Sequence, residues 1–158
     1  ALGNRSILCN PLNPKMRDIL NEKVKHREWY RPFAPMVTEE DSHKYFTNPH
    51  PVPYMSVICD TRREFRDKLP SITHVDGTAR IQTINASQNP FIHKTLKEFE
   101  KIKGMPIILN TSFNPAGEPI LNFSKIGLEM LDKTDLDLVI VGNIVFSSNA
   151  KKSLLETL

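Results

Sequence analysis

The stretch GMPIILNTSFNPAGEPI, residues 104–120, begins as a buried strand and ends in a turn of small polar residues, prolines and a glycine. The apolar run 106–109 predicts a strand inside a sheet. The clearest helix of the chain, 89–103, precedes this strand, with an Asn89–Pro90 cap, an apolar face and Gly104 as its terminator. A helix that leads directly into a buried strand is typical of a sheet covered by helices.

Helix and strand signals alternate on both sides of this stretch. The other predicted helices are a short one that begins at Asn13–Pro14 and carries Val24, one that opens at 38–41 and ends near Phe46, one from Ser124 through Leu131, and a short one after Asn149. The other predicted strands are 33–37, 54–59, 79–84, 136–142 and 143–148. This mixture predicts an α/β or α+β fold in which helices cover a sheet.

Composition limits the size of the fold and the kinds of partner. The 158 residues are 39% hydrophobic, enough for one sizeable core, and the formal charge of +3 is scattered rather than gathered on one face. We therefore expect a single domain that binds neither nucleic acid nor membrane. Cys9 and Cys59 lack metal-binding spacing and indicate reduced thiols in a cytoplasmic protein. The first residue is not Met, and we expect residues 1–158 to be one domain of a longer chain.

Four polar residues, Asn110, Thr111, Ser112 and Asn114, follow the apolar strand. Their side chains, with the amides of a glycine-containing turn, are small neutral donors that can surround phosphate or carbonyl oxygens. The alternative is a turn whose Ser and Asn only cap the backbone.

A basic segment, KHREWYRPFAP at 25–35, places Lys25, Arg27 and Arg31 within seven residues. The prolines predict an extended course, in which Lys25 and Arg27 point to the same side. Two cations on one side suit an anion such as phosphate, which Arg binds through two parallel hydrogen bonds. The alternative is a solvated basic strand edge.

A third polar segment, ITHVDGTARIQ at 72–82, carries His74, Asp76 and Arg80 around an Asp–Gly turn. The turn itself is an ordinary hairpin signal, and a lone His is often a hydrogen-bonded structural residue. The histidines and cysteines show no zinc-binding spacing, so we expect no transition metal.

Two of these segments resemble the YrdC-like fold. VKHREWYRPFAPMV matches its lysine-x-arginine segment at Lys25, Arg27, Pro32 and Ala34. TSFNPAGEP is similar to its T-S-A-N-x-S-G-x-P pattern at Thr111, Ser112, Asn114, Gly117 and Pro119. Together with ALGNRSIL and THVDGTARIQT, they resemble the C-terminal domain of the O-carbamoyltransferases that include nodulation protein U. The resemblance implies an α/β domain with a mixed, twisted sheet flanked by helices.

The resemblance also implies a function and a division of labour. The YrdC-like domain of that family binds ATP, with Mg²⁺, and carbamoyl phosphate, and it forms a carbamoyl adenylate. An N-terminal transferase domain of the same chain then moves the carbamoyl group onto a hydroxyl acceptor with the help of a metal. By matched position, the expected catalytic residues are Lys25, Arg80 and Ser112, and the expected binding residues are Arg5, Arg27, Arg31, His74, Asp76, Thr111 and Asn114.

Two other classes of function compete with this interpretation. One is a stand-alone YrdC-like threonylcarbamoyl-adenylate synthase or RNA-related protein, which the ALGNRSIL opening and the weak basic balance argue against. The other is a non-catalytic module that binds a nucleotide or an anion.

Overall fold

The computed structural model describes residues 3–26, 28, 30–48 and 50–147. The strands are β1 (Ser6–Cys9), β2 (Ala34–Thr38), β3 (Cys59–Asp60), β4 (Thr78–Ala79), β5 (Gln82–Ile84), β6 (Ile107–Ser112), β7 (Leu138–Val141) and β8 (Ile144–Ser147). The helices are α1 (Met16–Leu20), which continues into a π-helical turn (Asn21–Lys25), α2 (Ser42–Tyr45), α3 (Arg63–Arg66), α4 (Pro90–Lys103) and α5 (Ser124–Lys133). None of these helices has the length and apolar character needed to cross a membrane.

The main sheet has four strands in the order β1-β6-β2-β5. Strand β6, which the apolar run 106–109 predicted, pairs antiparallel with both β1 and β2. In contrast, β5 pairs parallel with β2. The sheet is therefore mixed and flanked by helices, which confirms the predicted α/β class. Since β5 runs opposite to β6, the start of β5 lies at the same end of the sheet as Ser112, the last residue of β6.

Alternate side chains of β6 enter two apolar clusters, because successive residues of a strand face opposite sides. Ile108 packs with Met36 and Ile84 beneath Ile92 and Leu96 of α4. Ile107 and Leu109 face the larger cluster, which includes Leu20 and Val24 from the first helical segment. Both sides of β6 are thus covered up to Leu109, and the strand is rigidly placed where its polar residues begin.

The helix α4 follows its sequence signals closely. The Asn89 side chain accepts a hydrogen bond from the Ile92 amide, Pro90 occupies the first turn, and Gly104 ends the helix with φ 80°. A left-handed residue at this position is the usual role of glycine at a helix end. The predicted helix 89–103 is confirmed.

Several predicted strands have different bounds in the structure. Residues 54–58 form no strand, and only Cys59–Asp60 pairs, with Thr78–Ala79. The predicted strand 79–84 is divided between β4 and β5. The two closing strands, β7 and β8, form a separate two-stranded sheet rather than extending the main one. The helix predicted after Asn149 lies outside the described residues.

The carboxylate of Asp41 joins α2 to α4. It accepts hydrogen bonds from Thr38 Oγ1 at 2.8 Å, Lys44 Nζ at 2.6 Å and Lys97 Nζ at 3.1 Å. Burial acts to raise the pKa of Asp41, but these donors outweigh it and lower the pKa to about 2. The carboxylate therefore stabilises the folded state when it is ionised.

We predict that Asp41→Asn lowers the free energy of unfolding at pH 7 by about 2 kcal/mol, the equivalent of the pKa shift. The stabilisation is complete above the unfolded pKa of about 3.9 and disappears as the pH falls towards 2, because the folded pKa is depressed. Urea denaturation of both proteins at pH 7 and at pH 2.5 measures this difference. Asp18→Asn, which removes an exposed carboxylate beside Arg17, is the control and should change stability little. A difference for Asp41→Asn that persists undiminished at low pH would contradict this assignment.

Candidate active site

The polar end of β6 begins with a buried amide pair. Asn110 Nδ2 donates a hydrogen bond of 2.8 Å to Gln82 Oε1, and both residues are almost fully buried. In the strand-like run ARIQTI, Gln82 alternates with Ile81, a pattern that predicts an outward side chain for Gln82, and this prediction is wrong. Its side chain is turned inward, where Asn110 on β6 donates to its amide oxygen.

The turn after β6 is fixed by backbone and side-chain hydrogen bonds. The Phe113 amide donates to the Arg5 carbonyl at 3.0 Å, and the Leu121 amide donates to the Phe113 carbonyl at 3.0 Å. Across the turn, Asn114 Nδ2 donates to the Glu118 carbonyl at 2.6 Å. Gly117 has φ +73°, a conformation that side-chain-bearing residues rarely adopt. These contacts hold Ser112 and Asn114 at the mouth of the turn.

Lys25 reaches this turn from the first helical segment. It is the last residue of the π-helical turn, which closes with a hydrogen bond from the His26 amide to the Asn21 carbonyl, and His26 is left-handed with φ 43°. The prediction that Lys25 lies in an extended segment is wrong. The widened turn carries the side chain inward, and Lys25 is only 4% exposed. Such π turns occur often at functional sites.

The ammonium group of Lys25 lies among four oxygens of Ser112 and Asn114. Nζ is 2.6 Å from the Ser112 carbonyl, 2.7 Å from Asn114 Oδ1, 3.1 Å from the Asn114 carbonyl and 3.3 Å from Ser112 Oγ. Ser112 Oγ also donates to Asn114 Oδ1 at 2.6 Å. The structure therefore joins residues that are 87 and 89 positions apart in the chain into one polar cluster.

This Lys25–Ser112–Asn114 cluster forms the base of an open cleft of about 380 Å³. The cleft is lined by Lys25, His26, Glu28, Arg31, Ser112, Asn114, Pro115, Ala116 and Gly117. Arg31 Nη1 lies 3.5 Å from Glu28 Oε2, and both side chains are more than half exposed. Two cations against one carboxylate leave a formal excess of one positive charge at the lining. Such a cleft is suited to an anion.

The other predicted site residues lie outside this lining. Arg5 donates from Nη1 to the Leu121 carbonyl at 3.2 Å, so its guanidinium supports the turn. Thr111 pairs with Ile7 of β1 and, by strand alternation, faces the opposite side from Ser112. Arg80 is exposed and precedes β5 by two residues, which places it at the same end of the sheet as Ser112. Arg27 lies outside the described residues.

His74 and Asp76 form a hydrogen-bonded turn with Thr78. His74 Nδ1 is 3.0 Å from Thr78 Oγ1, which in turn donates to Asp76 Oδ1 at 2.7 Å. Burial lowers the pKa of His74, and the hydrogen bonds from Thr78 lower the pKa of Asp76. These contacts give both residues a structural role in the Asp–Gly turn. Within the described residues no group of three or more His, Cys, Asp or Glu side chains is placed to hold a metal ion.

Two features of the site region escaped sequence reasoning. The π turn that buries Lys25 has no simple sequence signal, because its α-helical and π-helical forms present the same residues. The Asn110–Gln82 pair joins two strands that are not neighbours in the sheet, so no local pattern could indicate it.

Comparison with known proteins identifies the family of this chain. The family described as Carbamoyltransferase C-terminus matches residues 1–148. The chain belongs to the carbamoyltransferase C-terminal family. The match covers β1 to β8 and includes every residue of the cleft lining.

Several longer proteins are similar to this chain over one part of their own length. The chain is 43% identical to Nodulation protein NolNO of Sinorhizobium fredii over 146 residues, which are 90% of this chain and 22% of the relative. It is 45% identical to Nodulation protein U of Rhizobium tropici over 117 residues, 74% of this chain and 20% of the relative. It is 36% identical to Uncharacterized protein sll1178 of Synechocystis over an alignment of 171 positions, gaps included, that covers 96% of this chain and 28% of the relative. The chain thus spans between about a fifth and just over a quarter of the length of these relatives.

Proposed function

We propose that the cleft at the end of β6 binds ATP and carbamoyl phosphate and forms a carbamoyl adenylate, as one half of a carbamoyltransferase reaction. The observation that carries this proposal is the convergence of Lys25 with Ser112 and Asn114 at the base of a cleft with a positive lining. Transfer of the carbamoyl group to a hydroxyl acceptor would take place on an N-terminal domain of a longer carbamoyltransferase chain.

The reaction balances with one water molecule. Water cleaves carbamoyl phosphate to carbamate and phosphate, and a carbamate oxygen then attacks the α-phosphorus of ATP. The bond from the α-phosphorus to the bridging oxygen breaks, and that oxygen leaves with pyrophosphate. Both reactants are anions, so the site must supply positive charge and neutral donors at fixed positions. Mg²⁺ bound to the ATP phosphates would neutralise part of their charge.

The cleft residues suit these requirements in different ways. The Lys25 ammonium directs its three N–H groups at oxygens of the turn. Its contribution to a developing oxyanion is therefore its fixed positive charge, which needs little reorganisation. Arg31 stands exposed at the rim and can engage phosphate oxygens through two parallel hydrogen bonds. The amides of Ala116 and Gly117 form no hydrogen bond with any described residue and are available as further donors beside the Gly117 turn.

We predict that Arg80→Ala weakens ATP binding by about 1.5–3 kcal/mol, the range of a hydrogen bond to a charged group. The reason is its position beside the start of β5, at the same end of the sheet as Ser112. Calorimetric titration with ATP measures the change. Arg17→Ala removes the same charge from α1 and should leave ATP affinity unaltered. Equal affinity of Arg80→Ala and the unsubstituted chain would show that Arg80 does not contact the nucleotide.

Pyrophosphate release tests the function as a whole. The domain is titrated with Mg²⁺–ATP, with and without carbamoyl phosphate, and pyrophosphate is measured by a coupled assay. We expect pyrophosphate release that requires carbamoyl phosphate. Release that instead requires threonine and bicarbonate would favour a threonylcarbamoyl-adenylate synthase. Saturable ATP binding without release under either condition would favour a non-catalytic nucleotide-binding module.

A further inference from the structure

A second cleft, which the proposed function does not use, lies beside the short helix α3. It has a volume of about 430 Å³, within the range of small-molecule sites. Its lining consists of Thr47, Asp60, Thr61, Arg62, Arg63, Glu64 and Arg66. The three arginines all come from the five residues 62–66, at and beside the short helix α3.

Two of these arginines are fixed through one edge of the guanidinium. Arg66 Nε donates to the Thr61 carbonyl at 2.9 Å, and Arg62 Nε donates to the His43 carbonyl at 2.8 Å. The Arg66 guanidinium also lies against Gly77, where an added Cβ would overlap it. Thus Gly77 is needed both for its φ of +84° and for the space that Arg66 occupies.

Within the part of the chain that the structure describes, the terminal nitrogens of these side chains donate no hydrogen bond. Among the described residues, Arg62, Arg63 and Arg66 form no salt bridge, although the carboxylates of Asp60 and Glu64 line the same cleft. Three cations against two carboxylates leave an excess of positive charge. Guanidinium groups that are held by Nε and free at both Nη atoms present a ready pair of donors to an oxyanion.

We propose that this arginine cleft, defined by Arg62, Arg63 and Arg66, binds the diphosphate group of a small anion. Two fixed guanidiniums and a third exposed one match a ligand with two adjacent phosphates better than one with a single carboxylate. The source of the diphosphate is either free pyrophosphate or a nucleotide. This site does not depend on the cleft at Lys25.

The test is a titration of the 158-residue chain at low salt with inorganic pyrophosphate and, separately, with ATP. Binding is monitored through the NMR signals of the backbone amides and of the arginine Nε–H groups. Low salt is needed because exposed charges are screened. We expect saturable shifts at Thr47, Thr61 and Arg66. Arg66→Gln and Arg63→Gln should each weaken binding about ten- to hundredfold, as expected for one charged hydrogen bond. Arg17→Gln, which removes the same charge from α1, is the control.

Each outcome of this titration decides the proposal. Tighter binding of ATP than of pyrophosphate, with the same dependence on Arg66, supports the site and makes a nucleotide the source. Tighter binding of pyrophosphate with that dependence supports the site and makes free diphosphate the source. The absence of saturable shifts, shifts confined to the turn at Ser112, or unchanged affinity in Arg63→Gln would overturn it. Arg63 is exposed and has no contact that supports the fold, so that variant is protected from a trivial loss of folding.

Discussion

Replacing Lys25 by methionine should lower carbamoyl-phosphate-dependent pyrophosphate release by about a hundred- to a thousandfold, the scale on which one preorganised polar group acts in a transition state. Methionine has a similar length and is apolar, so it fills the buried space without supplying a charge. The two carbonyl oxygens and Asn114 Oδ1 that face Nζ would lose a donor. We therefore also expect a loss of about 1–3 kcal/mol of stability, the cost of unpaired buried polar groups.

Lys23→Met is the matched control for this experiment. Lys23 lies two residues earlier in the same π-helical turn, but its side chain is 55% exposed and its ammonium is 3.7 Å from Asp135. The same substitution there should leave pyrophosphate release and stability nearly unchanged. Initial rates for both variants, measured well below their melting temperatures, separate chemistry from folding. A Lys25→Met variant that retains its rate would remove Lys25 from the reaction.

Substitutions at Asn114 should separate the structural role of the turn from its ligand-binding role. Asn114→Asp keeps an oxygen facing the Lys25 ammonium, so an ion pair replaces the present hydrogen bond, although the donor to the Glu118 carbonyl is lost. We expect stability within about 1 kcal/mol of the unsubstituted chain. The added negative charge repels an incoming anion, and we expect pyrophosphate release to fall about a hundredfold or more. Melting temperatures and initial rates on the same preparations measure the two effects.

Alanine substitutions complete this comparison. Asn114→Ala removes contacts with Lys25, Ser112 and Glu118, and should cost about 1–2 kcal/mol of stability as well as activity. Ser112→Ala removes only the 3.3 Å contact with Lys25 and the hydrogen bond to Asn114, so its effect on stability should be smaller. If Asn114→Asp and Ser112→Ala both kept full activity while Asn114→Ala lost stability, the turn would be a capping device alone.

The sequence predicted the central part of the fold because its signals there are local. The Asn89–Pro90 cap, the apolar face of α4 and Gly104 specify one helix, and a continuous apolar run specifies β6. Residues 54–58 contain apolar and β-branched residues but form no strand, because a turn occupies their beginning and Met55 is left-handed with φ 55°. Strand pairing is a tertiary property, which local propensity does not determine.

The candidate site was predictable in its residues more than in its geometry. The Ser112–Asn114 spacing and the basic segment pointed to Lys25, and the structure joins all three. The predicted extended course of Lys25 was wrong because the π turn buries it, and Arg5 supports the turn instead of lining the cleft. Long-range contacts such as Lys25 with Ser112 depend on how the first helical segment packs against β6, and no spacing along the chain encodes that.

The most direct test of the proposed function is detection of the carbamoyl adenylate itself. The domain is incubated with Mg²⁺–ATP and carbamoyl phosphate labelled with ¹³C at the carbamoyl carbon, and the quenched mixture is analysed by mass spectrometry beside the Lys25→Met and Lys23→Met variants. We predict labelled carbamoyl adenylate, with pyrophosphate in equal amount, from the unsubstituted chain and from Lys23→Met, and almost none from Lys25→Met. Labelled adenylate formed equally by Lys25→Met, or ATP bound by the unsubstituted chain without any adenylate or pyrophosphate, would contradict this prediction.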